Sequence, residues 1–506
     1  MSRKNIMLPT PIVTANIPRR NFLKSSGFLF AGLIAGSIVS NPLQAALAAN
    51  STGFPVQNLF HQLNSNDALI ILPKDPNYDS YQFSYNMRTV LPTQIRVLCQ
   101  NTNAILACLK WAKENQVPFA IRCGGHSYEG FSQSTGLVID LRLMKNISID
   151  VATNTIEVEA GVQLGQIYAA LSEHELAIPA GSCPTVGIVG HVTGGGYGLL
   201  GRKLGLACDS LLSCEVITAD GNTITASANQ NADLFWALRG AGNGQLGIIT
   251  KLKFQAYKIP EVQVFSMGWL LPKNKALRVA KAWQAWAPQT TNDITCIFKI
   301  SKHPSGNINL RCVGQSTGSM KTLLAELKYL SQIETPTSEL KASTKTFMEA
   351  VGHFSGGFEY EAVNMKAKSD YVTTPITDAG LLTLMTELEK LPAGAIAVIM
   401  DAYGGQMSNI PSTAMAFSHR KGTLCSIQYY SQWSKASDNE KRLQYIRDLY
   451  QAMRPFVSGS AYVNYCDMDL KNYGKAYWGD NYETLKSIKQ KYDPKNLFKH
   501  RQGLIS

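Results

Sequence analysis

GSCPTVGIVGHVTGGGYG, residues 181–198, and RCGGHSYEG, residues 122–130, decide how this chain is read. In the longer segment Cys183 follows Gly181 and Ser182, and six glycines come after it. In the shorter one His126 follows Gly124 and Gly125. Glycines at this density let a backbone approach a ligand closely and adopt conformations closed to other residues. The N–H groups they bare suit a phosphate or pyrophosphate. One histidine and one cysteine in such loops point to a large, phosphate-bearing cofactor beside two nucleophiles that could attach it covalently. A lone glycine-rich loop is weak evidence, because G-x-G-x-x-G patterns arise by chance. A dinucleotide fold of Rossmann type also needs its loop after the first strand and an acid about twenty residues on. Here the loops lie deep in a β-rich region and come as a pair, which disfavours a nicotinamide domain.

Outward from the loops, residues 52–258 alternate strand-like and helical runs. ACLKWAKENQ (107–116) reads as an amphipathic helix and VPFAIRC (117–123) as a strand. LVIDLRLM (137–144), ISIDVATNTIEVEAG (147–161) and LLSCEVITADGNTITAS (211–227) read as strands and hairpins, with Asp220-Gly221 as a turn signal. Residues 262–455 change character. TCIFKIS (295–301), NINLRCVGQ (307–315), AIAVIMDAYGG (395–405) and TLCSIQYYSQW (423–433) are strand-like and separated by helical stretches. That pattern predicts an antiparallel sheet with helices on one face, hence an α+β fold. The break at Ile259-Pro260 divides the two regions. No internal repeat and no low-complexity linker is evident.

The N-terminus has its own logic. PRRNFLK (18–24) pairs Arg19 with Arg20, the apolar GFLFAGLIAGSIVS (27–40) follows, and Ala46-Leu47-Ala48 offers a small-residue cleavage site. This order is that of an export signal, and the paired arginines favour the twin-arginine machinery, which carries folded proteins. Fourteen apolar residues fall short of the roughly twenty a membrane span needs, so no stable anchor is expected. The expected location is the periplasm or the medium. The 506 residues carry a formal net charge of +12, with 45% hydrophobic and 17% charged residues, a globular composition. The basic residues are dispersed rather than set beside aromatics, so nucleic acid is not an expected partner. None of the ten cysteines shows C-x-x-C spacing, and no metal site is expected.

Over nearly the whole mature chain the sequence resembles the flavin-linked oxidases of the berberine bridge enzyme type, in the vanillyl-alcohol oxidase (PCMH-type) flavoprotein superfamily. RCGGHSYEG followed by GLVIDL is similar to that family's first flavin loop, and GSCPTVGIVGHVTGGGYGLLGRKLGLACD to its second. NADLFWALRGAGNGQLGIIT (231–250), MDAYGGQMS (400–408), FSHRKGTLCSIQYYSQW (417–433) and YVNYCDMDL (462–470) resemble later family segments in the same order. In motif the chain is most similar to oligosaccharide oxidases with doubly attached flavin. The resemblance implies a division into a signal peptide (1–48), an FAD-binding domain (52–260), a substrate-binding domain (261–455) and a C-terminal segment (456–506) that returns to complete the active site.

The resemblance also implies site residues. His126 and Cys183 would be the two covalent anchors of FAD. Gly124, Gly125, Ser127, Tyr128, Val186, Gly187, Gly190, Gly194, Gly195 and Gly196 would line its pyrophosphate and ring system, with Ile249 near the adenine end. Tyr465 would take the proton of the substrate hydroxyl, Asp401 would help it, and Tyr462 would be a wall of the site. Tyr128, Gln428 and Tyr430 would meet the substrate. A tyrosine, with its pKa near 10, needs a neighbouring cation or an onward proton acceptor to act as a base at neutral pH. GQLG stands where relatives commonly have an asparagine-phenylalanine pair, which puts Gln245 and Leu246 in question as cofactor contacts. The expected reaction is oxidation of an alcohol, foremost the anomeric hydroxyl of a small-molecule carbohydrate to a lactone, with molecular oxygen reduced to hydrogen peroxide. A dehydrogenase, a tailoring oxidase for a secondary metabolite, and an inactive flavin- or glycan-binding protein remain open at this point.

Overall fold

The computed structural model describes residues 53–63, 66–242, 244–355 and 362–505. The expected export signal and its cleavage site lie outside the described residues. The first four strands are β1 (Ala68–Ile71), β2 (Ile95–Cys99), β3 (Phe119–Arg122) and β4 (Leu137–Asp140). They form a sheet in the order β1-β2-β4-β3, in which β2, β4 and β3 run parallel. Parallel neighbours need a crossover, and the helix Thr102–Glu114 supplies it between β2 and β3. Its start is capped by Asn101, whose side chain accepts the Ala104 N–H, and it buries Ile105, Cys108, Leu109 and Ala112 on one face.

The strands β5 (Ile147–Asp150), β6 (Thr155–Glu159), β7 (Leu176–Ala177), β8 (Leu211–Ile217), β9 (Thr223–Ser227) and β10 (Ile248–Gln255) follow. Five of them make an antiparallel sheet in the order β5-β6-β10-β8-β9, while β7 pairs with β11 (Tyr257–Lys258). The β8–β9 hairpin turns at Asp220-Gly221, where Gly221 has φ +84°. That is a conformation glycine adopts without cost.

Beyond Pro260 come β12 (Glu261–Leu271), β13 (Ile294–Lys302), β14 (Ile308–Ser316), β15 (Ser338–Thr346), β16 (Asn364–Val372), β17 (Ala397–Ala402) and β18 (Cys425–Trp433). They build one antiparallel sheet in the order β15-β12-β14-β13-β17-β18-β16. The helices Lys273–Trp286, Met320–Ile333, Asp378–Lys390 and Asn439–Met453 contribute their apolar faces to the core on one side of this sheet. Phe298, Ile300, Leu310, Cys312, Met400, Ile427 and Tyr429 meet them there. Because side chains alternate across a strand, Ile297, Lys299, Ile399, Asp401 and Gln428 rise from the opposite face.

A second core gathers the two N-terminal sheets with residues remote in sequence. Tyr403, Met407, Phe417, Tyr462, Val463, Trp478 and Leu504 all pack into it. The C-terminal segment is therefore buried among the strands that carry the glycine loops. Among the described residues no helix is long and apolar enough to cross a membrane, and no cluster of His, Cys, Asp and Glu could hold a metal.

Candidate cofactor and active site

Both glycine loops leave the edges of regular elements. The first starts at the end of β3, and the Leu141 N–H donates to the carbonyl of Arg122, the last residue of that strand. Asp140 pairs with Arg96 at 2.8 Å and with Arg142 at 2.7 Å beneath the loop. Burial alone would raise its pKa, but Arg142, Arg122 and Arg96 together hold it well below the ordinary carboxylate range. The second loop runs to the helix Ile188–Thr193. The two loops touch backbone to backbone: a Cβ built on Gly187 would lie 2.6 Å from the Gly124 nitrogen and 2.7 Å from its Cα. Gly187→Ala must push the loops apart, since neither partner atom is on a flexible side chain. We expect a cost of roughly 1–3 kcal/mol and a lowered melting temperature with reduced flavin content, measured by thermal unfolding and absorbance.

The loops open onto a cavity of about 630 Å³, within the range of cofactor sites. Of the expected residues, Gly124, Gly125, His126, Ser127, Tyr128, Cys183, Val186, Gly187, Gly190, Ile249, Asp401, Gln428, Tyr462 and Tyr465 border it. Gly190 has nothing within 4 Å of where a Cβ would stand, so it keeps the floor of the cavity bare. Four expected residues do not border it. Gly194 faces the Asn464 side chain, Gly195 the Phe417 ring and Gly196 Ala207 and His191, so a side chain at any of the three would collide with packed neighbours. The Tyr430 hydroxyl lies 3.2 Å from that of Tyr85 and donates to Gln432 at 2.9 Å, and both partners border the cavity.

Other lining residues were not anticipated. Tyr85 stacks on the His126 ring, with centroids 4.6 Å apart and planes at 17°. Thr185 Oγ1 lies 3.1 Å from His126 Nε2. Lys299 reaches the cavity from β13, and Gln245 and Leu246 border it despite their departure from the family pattern. A lysine at an alternating strand position reads as a solvent-facing residue; only the strand pairing brings Lys299 beside Asp401.

Burial lowers the His126 pKa to about 3, aided by Arg122, so the imidazole is neutral and nucleophilic at any physiological pH. Cys183 is the one exposed cysteine among the ten. Desolvation raises its pKa, and Lys299 works against that rise. Tyr465 stacks with Tyr128 at 5.6 Å with rings 4° from parallel, and Tyr462 meets it edge-on at 4.9 Å. Burial, and then the neighbouring Asp401, push the Tyr465 pKa well above 10. Desolvation raises Asp401 to about 6, while hydrogen bonds from Ser426 and Tyr465 and the charge of Lys299 restrain the rise. The Tyr462 hydroxyl is occupied: it accepts from the N–H groups of Gly196 (3.0 Å) and Tyr197 (3.3 Å) and from Asn464 Nδ2 (3.0 Å). It pins the glycine triplet to the C-terminal segment. Gln428 donates to the Tyr128 hydroxyl at 3.0 Å.

A buried charge cluster fixes the two stacked tyrosines. Glu129 follows Tyr128, Asp467 lies two residues after Tyr465, and both pair with Lys366 of β16. Lys368 adds a 2.7 Å contact to Asp467.

Three buried polar atoms that line the cavity lack a protein partner: Ser132 Oγ, Gln245 Nε2 and His500 Nε2. Such atoms are costly unless a ligand or water answers them. With the bare floor at Gly190 and the paired loops, they fit a large polar cofactor. Comparison with known proteins identifies it. Residues 93–227 match the family described as FAD binding domain, and residues 461–505 match berberine and berberine like. An uncharacterized FAD-linked oxidoreductase of Bacillus subtilis, YgaK, is 34% identical over 86% of this chain and 96% of its own. Berberine bridge enzyme-like D-1 of Nicotiana tabacum is 32% identical over 94% of each chain. Among solved structures, Physcomitrella patens BBE-like 1 superposes with a TM-score of 0.82 at 29% identity, covering 88% of this chain and 98% of that one. A Phl p 4 variant described as a glucose oxidase superposes with a TM-score of 0.80 at 27% identity, over 89% and 98%. The chain is an FAD-linked oxidoreductase of the berberine bridge enzyme-like family, within the PCMH-type flavoproteins.

Proposed function

We propose that the protein is an exported oxidase that holds FAD through both His126 and Cys183 and oxidises the anomeric hydroxyl of a mono- or oligosaccharide to a lactone, with oxygen reduced to hydrogen peroxide. Bound FAD supplies the two-electron acceptor for the carbon-bound hydride and the route of those electrons to oxygen. The residues do the rest. Gly124, Gly125, Ser127, Val186, Gly187 and Gly190 form the bed for the cofactor, with Ile249 toward its adenine end. Tyr128, held by Gln428, forms a flat aromatic wall for a sugar ring. The observation that carries the reading is that Tyr465 and Asp401, close enough for the carboxylate to act on the phenol, border one cavity with His126 and Cys183. Tyr465 alone, with its pKa far above neutrality, is a poor base. Asp401, with its pKa near 6, is ionised at neutral pH and takes the tyrosine proton as the tyrosine takes that of the substrate. Neutral His126 and the accessible Cys183 thiol are the nucleophiles an attachment needs. The Arg19-Arg20 signal supports export with the cofactor already in place.

The test is peroxide release in air by the purified yellow protein, offered neutral sugars, oligosaccharides, uronic acids and aromatic alcohols. Peroxide from a sugar supports the proposal. Bleaching by a sugar only under nitrogen replaces it with a dehydrogenase, and peroxide only from an aromatic alcohol moves the substrate class. The two tethers make a separate prediction. After acid precipitation we expect the pellet to stay yellow in Cys183→Ser and in His126→Ala, and to lose its colour only in the double variant. Flavin released from either single variant removes the double attachment.

A further inference from the structure

Near its end the chain forms a strap along the cavity, to which Phe498, Lys499 and His500 contribute lining. The strap is fastened to three separate parts of the site. Arg501 donates to the Glu129 carbonyl of the first glycine loop at 2.5 Å. Gln502 Nε2 donates at 2.8 Å to the carbonyl of Asp467, two residues after Tyr465. The Leu504 N–H donates to Gln245 Oε1 at 2.7 Å. Behind these bonds the buried Lys489 ammonium pairs with Asp493 at 2.6 Å and donates to the carbonyls of Gln245 (2.7 Å) and Phe498 (3.0 Å).

The same bonds fix which atoms two cavity-lining side chains offer. With Oε1 held by Leu504, the Gln245 amide has only its Nε2 donor left, and the residue is 2% exposed. His500 Nδ1 accepts from the Gln502 N–H at 3.1 Å. Burial, aided by Arg501 and Lys489, lowers the His500 pKa to about 3. A neutral imidazole whose Nδ1 accepts carries its proton on Nε2, so His500 also presents a donor. Among the described residues neither donor has a partner. Two buried donors call for acceptors. The walls beside them are aromatic: Phe131 meets the His500 ring edge-on at 3.7 Å, and Phe498 meets Phe119 at 6.1 Å. All four rings border the cavity. In the proposed reaction the nucleophiles, Tyr465 and Asp401 serve the flavin ring. The flat, acceptor-rich adenosine monophosphate half of FAD then fits the aromatic walls and the two donors.

We propose that Gln245 Nε2 and His500 Nε2 donate to the adenosine monophosphate half of FAD, so that the bound nucleotide and the strap Phe498–Leu504 hold each other in place. Each donor belongs to a side chain whose other polar atom is already tied to the strap, which is how the two bindings couple. The inference needs FAD and is independent of the sugar reading.

FAD and FMN differ by that half, which makes them the probes. In the flavin-free His126→Ala/Cys183→Ser protein, His500→Phe is expected to raise the Kd for FAD about tenfold and to leave that for FMN within about twofold. The phenylalanine keeps a ring against Phe131. Gln245→Glu keeps the acceptor for Leu504 but replaces the donor with an oxygen, and the same split is expected. A residue that only props the tail would weaken both flavins alike. Equal losses for FAD and FMN, or no loss for either, therefore overturn the assignment. The strap supplies a second readout. FAD is expected to slow trypsin cleavage after Lys499 and Arg501 at least about tenfold, and FMN is not. Where the doubly substituted protein does not fold, wild-type apoprotein from riboflavin-starved cells carries the same comparison. Equal protection by both flavins, or by neither, removes the coupling. Absence of sugar turnover leaves these outcomes untouched, so the failure of one proposal is distinguishable from that of the other.

Discussion

Tyr465→Phe leaves a folded, yellow protein whose turnover is slower by roughly 10²–10⁴-fold, the usual contribution of a positioned proton acceptor. The substitution removes one oxygen and keeps the ring. The stack on Tyr128 and the edge contact with Tyr462 involve that ring and survive. So does the buried charge cluster that holds the backbone on either side, because Glu129, Lys366 and Asp467 are untouched. What disappears is the hydroxyl proposed to pass the substrate proton to Asp401. The measurement is kcat by peroxide release beside flavin absorbance and melting temperature. Loss of kcat with colour and stability retained is the expected outcome. Retention of more than about a tenth of wild-type kcat removes Tyr465 from the reaction.

Asp401→Asn has two effects of opposite sign. In catalysis, the ionised carboxylate receives the proton, so wild-type activity falls as pH drops through about 6. The asparagine variant loses that acid limb together with roughly 10²-fold or more of kcat. In stability, the folded pKa of about 6 exceeds the ordinary value of 3.8. The native state therefore holds the proton more tightly than the unfolded chain. The stabilisation from this group is full below about pH 4 and is lost as pH rises through 6. Above that, a buried ionised carboxylate costs roughly 3 kcal/mol, which the neutral amide avoids. Asp401→Asn should therefore melt at a higher temperature than the wild type at pH 8 and at nearly the same temperature at pH 4. An unchanged melting temperature at pH 8, or an acid limb that persists in the variant, separates Asp401 from the proton path.

Lys299 sharpens both predictions. It lowers the pKa of Asp401 and of Cys183 from one position on β13. A cation there favours an ionised acceptor and a more reactive thiol at once. In the proposed reaction the helper of Tyr465 acts by accepting its proton, while Lys299 favours the ionised form of that carboxylate.

Much of the architecture is local and was legible. The strand patterns of residues 137–144, 147–161 and 211–227 became β4 and the hairpins β5–β6 and β8–β9, because period-2 alternation and a Gly221 turn are properties of short segments. The large antiparallel sheet with helices on one face followed from the same signal in β13, β14, β17 and β18. The two loops declared a large cofactor because glycine density, a histidine and a cysteine are readable one residue at a time.

Other features depended on contacts between remote segments. Gly194, Gly195 and Gly196 look like Gly187 and Gly190 in sequence, yet Asn464, Phe417 and Ala207 claim the space beside them. Tyr430 shares its strand face with Gln428, but its hydroxyl is taken up by Tyr85 and Gln432, which border the cavity in its place. Lys299 carries no motif at all. Its place beside Asp401 comes from β13 pairing with β17, about a hundred residues away. Backbone preference and side-chain chemistry are local, so the elements, the fold class and the placing of His126 and Cys183 in glycine loops were readable along the chain. Which glycines border the cavity, how far burial shifts Tyr465 and Asp401, and where the Lys299 cation meets that cavity depend on the tertiary structure. Desolvation and charge coupling arise only when segments far apart in the chain enclose the same space.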